Sequence, residues 1–171
     1  MKIYFSTNEK WYSKLMRFAE GSDVTHVGLG FFDDLQLVID CTIPKGSLYH
    51  YRYWKDKYEV VHTLDIPMSR EDEELAYKLT LEMCLLVEYD RSAYIFGLYW
   101  LVRNKITGER FPTKNVGNRG DKLMCSEVFI PVVEVLKKYG IDLECIDFSV
   151  KSPRMLYDRI VEEMRDSELW R

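Results

Sequence analysis

Short β segments run to residue 66, broken by one helical stretch. Beyond them, apolar residues recur every third or fourth position, a spacing that predicts helices. Residues 3–6 read as a short strand, and a helical stretch over 10–20 ends at Gly21. Residues 25–32 and 35–42 form two β segments, with Asp33-Asp34 as the hairpin turn between them. Pro44, Gly46 and Ser47 mark another turn. Residues 58–66 form a further strand, on which Val60, His62 and Leu64 share one face.

The pattern then changes period. Ser69 with Asp72 resembles a capping box, opening a helix that runs to residue 87. Leu75, Leu79, Met83 and Leu86 supply its apolar stripe. A second helical stretch covers 92–105, and 107–120 is a charged loop rich in Gly and Asn. A third helix starts near Cys125, is bent by Pro131 and ends at Gly140, with Lys137 and Lys138 suited to its last turn. Ser152-Pro153 opens the last helix, which carries Leu156, Ile160 and Met164 on one face. A strand-rich front and a helix-rich back predict one α+β domain over 1–171, an antiparallel sheet packed against helices.

Composition narrows the function classes. At 171 residues, with 47% hydrophobic and 30% charged residues, the chain can bury a core without staples. Its 24 basic against 28 acidic side chains leave a net charge of −4, which argues against nucleic acid as a partner. The apolar run at Met1–Ser6 is short for a signal peptide and no stretch has membrane-spanning length, so the expected compartment is the cytoplasm. Cys41, Cys84, Cys125 and Cys145 are scattered without a CxxC pair and are expected as free thiols. The three histidines lack ligand spacing, so neither a metal nor a cofactor is expected. Aromatics crowd into Tyr49-His50-Tyr51-Arg52-Tyr53-Trp54, with Tyr58 beyond. That cluster suits either a half-buried sheet border or a recognition rim, the border being the plainer reading.

Cysteine–histidine chemistry is the candidate that local context supports. Cys84 lies inside a helix beside Met83 and Leu85, Cys145 has no helix start behind it, and Cys41 faces away from Asp40 on its strand. Cys125 stands where a loop enters a helix, in Asp121-Lys122-Leu123-Met124-Cys125-Ser126-Glu127. A helix N-terminus favours a thiolate, and its free N–H groups can later hold an oxyanion. His26 opens Thr25-His26-Val27-Gly28-Leu29-Gly30, and Asp40 lies on the neighbouring predicted strand. Pairing about Asp33-Asp34 brings positions 26 and 40 nearly opposite, so Asp40 can orient the imidazole. Equally, His26 can be a satisfied strand histidine and Cys125 a packing residue.

Three pieces, Thr25-His26-Val27-Gly28-Leu29-Gly30, Val38-Ile39-Asp40 and Met124-Cys125-Ser126-Glu127-Val128, together resemble the circularly permuted papain-like group of the NlpC superfamily. In that group the histidine strand precedes the cysteine helix. Glu88-Tyr89-Asp90 is similar to the family's Tyr-Asp pair, and Ser152-Pro153 with Leu156-Tyr157 to its closing helix. Asp40 stands where many relatives carry Glu, one methylene longer. The resemblance spans roughly residues 20 to 160 and rests on few letters.

That resemblance implies a papain-like fold and a cysteine peptidase or amidase. Cys125 would be the nucleophile, His26 the acid–base and Asp40 its orienter, with the Cys125 backbone N–H at the oxyanion and Tyr89 shaping the site. The implied substrate is a peptide amide, such as a peptidoglycan stem peptide. Lecithin:retinol acyltransferase-like relatives make lipid or thioester acyl chemistry the alternative, and a non-catalytic binding module is the third. An apolar tunnel at Cys125 favours the lipid, a polar open cleft the peptide. A phage enzyme carried in a particle or released at lysis would need no export signal.

Overall fold

Five strands pair antiparallel in the order β4-β3-β2-β1-β5. They are β1 (Lys2–Thr7), β2 (His26–Phe31), β3 (Leu37–Cys41), β4 (Gly46–His50) and β5 (Glu59–Asp65). The computed structural model describes residues 1–42, 45–109, 122–148 and 151–167. Period-two alternation divides the sheet's two faces. Ile3, Phe5, Val27, Leu29 and Ile39 point into the main core, where a 3-10 helix (Cys125–Val132) and α6 (Pro153–Asp166) supply Val128, Phe129, Leu156 and Ile160. Tyr4 and Val38 point the other way, into a smaller cluster with Trp54 and Tyr58.

The β2–β3 connection departs from the expected turn. Phe31 pairs with Leu37 and Gly28 with Asp40, so the hairpin centres on Asp34 and residues 32–36 form the loop. Phe32 and Gln36 both adopt left-handed backbone there, with φ of 56° and 51°. Asp40 therefore sits opposite Gly28, two residues from His26 and on the same face.

Two elements were not expected. Gly46 and Ser47, expected in a turn, open strand β4, and the aromatic run expected as a sheet border is for the most part a short helix, α2 (Tyr51–Lys55). The His50 ring caps that helix, its Nδ1 accepting from the Arg52 N–H at 3.2 Å.

The helices begin and end where their caps are. Gly21, at φ 64°, closes α1 (Trp11–Glu20), and its N–H donates to the Arg17 carbonyl at 2.8 Å. The Ser69 hydroxyl accepts from the Asp72 N–H at 3.2 Å to open α3 (Arg70–Leu86). The buried face of α3 is Ala76, Thr80 and Cys84, not the leucine stripe; Leu75 and Leu86 are 43% and 83% exposed. The reason is close approach to β4. A Cβ on Gly46 would lie 2.3 Å from the Cys84 carbonyl oxygen, a gap that admits only small side chains.

Asp90 caps α4 (Arg91–Thr107), and Gly108 ends it at φ 72°. Thr107 thus belongs to the helix rather than to the expected loop, most of which lies outside the described residues. The helix expected from Cys125 is in two parts, the 3-10 segment and then α5 (Val133–Lys137). Pro131 has no N–H to offer an α-helical acceptor four residues back, so the tighter winding persists past it. The last helix starts as expected, the Ser152 hydroxyl accepting from the Met155 N–H at 3.2 Å. Among the described residues no helix is long and apolar enough to cross a membrane.

Candidate active site

His26 is the first residue of β2 and is buried. Its Nε2 lies 3.1 Å from Asp40 Oδ2, and Asp40 is fully buried. The same oxygen accepts from the Trp54 indole Nε1 at 2.7 Å. Gly28 makes room for that bond, since a Cβ there would come within 3.2 Å of the Trp54 ring and 3.3 Å of Val38. With Nε2 committed to Asp40, Nδ1 is the ring nitrogen left for a nucleophile.

The aromatic cluster supports this pair. Tyr58 stacks on the His26 ring at 4.5 Å and 8°, and Trp54 stacks on Tyr58 at 5.0 Å. Trp54 has no exposed surface, while Tyr53 is 63% exposed. The cluster is therefore mainly a buried floor beneath the imidazole, with Tyr53 at its rim.

Cys125 is carried to His26 by the second half of the chain. Strand β6 (Glu88–Tyr89) pairs in parallel with β7 (Lys122–Leu123), and the Asp90 N–H donates to the Leu123 carbonyl at 2.7 Å. Next, Glu127 Oε2 accepts from the Met124 N–H at 2.6 Å, and the Ser126 hydroxyl donates to the Phe148 carbonyl at 2.9 Å. These bonds set the first turn of the 3-10 helix and carry Cys125 to the cleft that His26 also borders. Burial opposes charge on that ring, but Tyr58, Asp40 and Cys125 together hold its pKa well above the ordinary value. The structure thus brings Cys125 and His26 to one cleft, with His26 bonded to Asp40 and Tyr89 in the cleft wall beside them.

The other candidates stand apart. Cys41 points into the main core, where its thiol donates to the Leu123 carbonyl at 3.8 Å. Hydrogen bonding with Cys84 and burial push that thiol far up. Cys84 is buried and Cys145 exposed. His62 stacks on Tyr157 at 4.3 Å.

Two cavities meet at Cys125. One is a small cleft bordered by Asn8, Ser13, Thr25, Thr42 and Tyr58 together with His26 and the aromatic rings of Tyr12, Tyr89 and Tyr94. The Asn8 side-chain oxygen accepts from the Lys10 N–H at 3.0 Å and the Ser13 hydroxyl at 2.9 Å. A backbone N–H can only donate, so the amide orientation is fixed and Nδ2 is the group's remaining donor. The other cavity is a small, mainly apolar slot with Met16, Leu98, Leu101, Met124 and Pro153 in its walls and Ser126, Lys151 and Ser152 at its border. An apolar cavity and a more polar, enclosed one thus both border Cys125.

Sequence reading did not assign Trp54, Tyr58 or Asn8 to the site. The first two lay within or beside the noted aromatic run, whereas Asn8 carried no signal. Among the described residues no three His, Cys, Asp or Glu side chains gather as metal ligands. No protein-family model matches this chain, and no curated protein does either.

Proposed function

We propose that this chain is a cysteine-dependent hydrolase of peptide amides, with the papain-like organisation that the permuted NlpC-type resemblance implies. The observation that carries it is the buried Asp40 Oδ2–His26 pair on the cleft that Cys125 also lines. Cys125 passes its proton to His26 and attacks the carbonyl carbon. Asp40 keeps the imidazole in one tautomer and supports its charged form. The oxyanion forms against the Cys125 N–H, at a helix start where N–H groups have no intrahelical acceptor, and against Asn8 Nδ2. Protonated His26 then protonates the departing amine, and water, with His26 as base, releases the acyl group. Tyr89 lines the cleft near the sulfur.

The polar cleft suits a peptide leaving group, and the family resemblance makes peptidoglycan stem peptides the first substrates to assay. A second reading, acyl ester or thioester hydrolysis, is favoured by the apolar slot. The test incubates wild type and Cys125→Ala with muropeptides and, separately, with short- and long-chain acyl esters. Cys125-dependent muropeptide cleavage is expected. Turnover of long acyl esters alone would replace the first reading by the second. Asn8→Ala is expected to lower kcat by about 10²–10³-fold while leaving Cys125 alkylation unchanged.

A further inference from the structure

His26 borders the polar cleft and not the apolar slot, whereas Cys125 borders both. In thiol acyl transfer the proton on the imidazole goes to the leaving group, which must therefore occupy the His26 cavity. The acyl half stays bonded to sulfur and needs a separate space. Among the described residues the slot is that space, and its walls have almost no polar surface.

Gly97 shows how the slot is made. It lies inside α4, where glycine is less favourable than alanine. Its φ is not left-handed, and a Cβ built on it would meet nothing within 4 Å among the described residues. No turn or backbone contact calls for glycine here; what its missing side chain leaves is open volume in the slot wall. The flexible thioethers of Met16 and Met124, with Leu98 and Leu101, form a surface that adapts to a methylene chain.

We propose that the slot is the acyl-side subsite of Cys125 and takes an unbranched or leucine-like aliphatic group attached to the attacked carbonyl, with Gly97 setting its depth. This rests on Cys125 being the nucleophile of the hydrolase reading. The aliphatic group has two possible sources, a fatty acyl chain or an apolar amino-acid side chain, and the slot chemistry is common to both.

Aldehydes report the subsite without turnover. The Cys125 sulfur bonds the aldehyde carbon and the thiol hydrogen passes to its oxygen, giving a hemithioacetal with no leaving group. Protection of Cys125 from iodoacetamide is measured with propanal and hexanal, and with N-acetyl-alaninal and N-acetyl-leucinal. Burying each methylene tightens binding by about fourfold, so hexanal should protect at concentrations at least about tenfold below propanal. Gly97→Leu should erase that gain and leave propanal unchanged, and Gly97→Ala should reduce it. Should Gly97→Leu fail to fold by circular dichroism, Gly97→Ala, for which the space is open, carries the comparison. A gain confined to the leucinal arm assigns an amino-acid side chain, and one confined to hexanal a fatty chain. Protection independent of chain length, or a gain that survives Gly97→Leu, overturns the subsite. Length-dependent protection without Cys125-dependent amide cleavage overturns the hydrolase reading instead.

Discussion

The Trp54 indole donates to Asp40 Oδ2 at 2.7 Å, and His26 Nε2 meets that same oxygen at 3.1 Å. One carboxylate oxygen thus serves two ring nitrogens, and the indole fixes where the imidazole's partner sits. Trp54→Phe keeps an aromatic ring and removes the donor. It should cost about 1–3 kcal/mol in urea unfolding, as expected for losing a hydrogen bond to a buried charge. Cys125 alkylation should slow with it. Unchanged stability and alkylation would mean that the indole does not position Asp40.

Iodoacetamide at about pH 6, where an ordinary thiol is almost wholly protonated, should label Cys125 ahead of the other cysteines. Cys145 is the informative comparison, because it is exposed while Cys41 and Cys84 are buried. His26→Ala should slow labelling of Cys125 by at least about tenfold and leave Cys145 unaffected. Peptide mass spectrometry reads both sites. Equal labelling of Cys125 and Cys145 would count against a catalytic thiolate.

His26 also gives stability a pH dependence of definite sign. Its folded pKa lies well above the ordinary value, despite burial, because of Tyr58, Asp40 and Cys125. The folded state therefore binds the proton more tightly. The resulting stability is complete below about pH 6.5, the unfolded value, and is lost as pH rises through the folded one. Urea unfolding of wild type and His26→Gln from about pH 6 to 9 should show the wild-type advantage shrinking with pH. A gap constant over that range would refute the coupling.

Glu20, at the end of α1, is pushed up to about 7 by burial, against opposing help from Ser152 and Arg154. Its Oε2 has no hydrogen-bond partner among the described residues. Folding again favours the protonated form, so stability is full below the unfolded carboxyl value and falls as pH climbs through about 7. Glu20→Gln should thus match wild type at about pH 5 and exceed it by about 1–3 kcal/mol at pH 8. Thermal melts at the two pH values decide it. Equal Tm differences at both would show that Glu20 is not ionising at a cost.

What could be read in the sequence was what local chemistry decides. Gly21, Ser69 and Ser152 mark helix ends through their own backbone or hydroxyl, and the alternation over 25–42 is a strand's own period. Cys125 and His26 were legible because a loop-to-helix junction and a glycine-flanked strand are local features too. Tertiary contacts decided the rest. The β2–β3 register depended on left-handed Phe32 and Gln36, which no turn residue announces. The buried face of α3 is small because β4 runs against Cys84, a neighbour that helical spacing cannot reveal. Trp54 was visible as an aromatic, but its role requires Gly28 and Asp40 to face each other across a ladder.

The division of the site between the two halves of the chain bears on how the protein is made. His26, Asp40, Trp54 and Tyr58 all precede α3, and Cys125 follows α4. During synthesis the sheet that seats the imidazole can close before Cys125 has left the ribosome. Cys125 reaches the cleft beside His26 only when the later helices dock. The proposed activity would thereby be tied to completed folding.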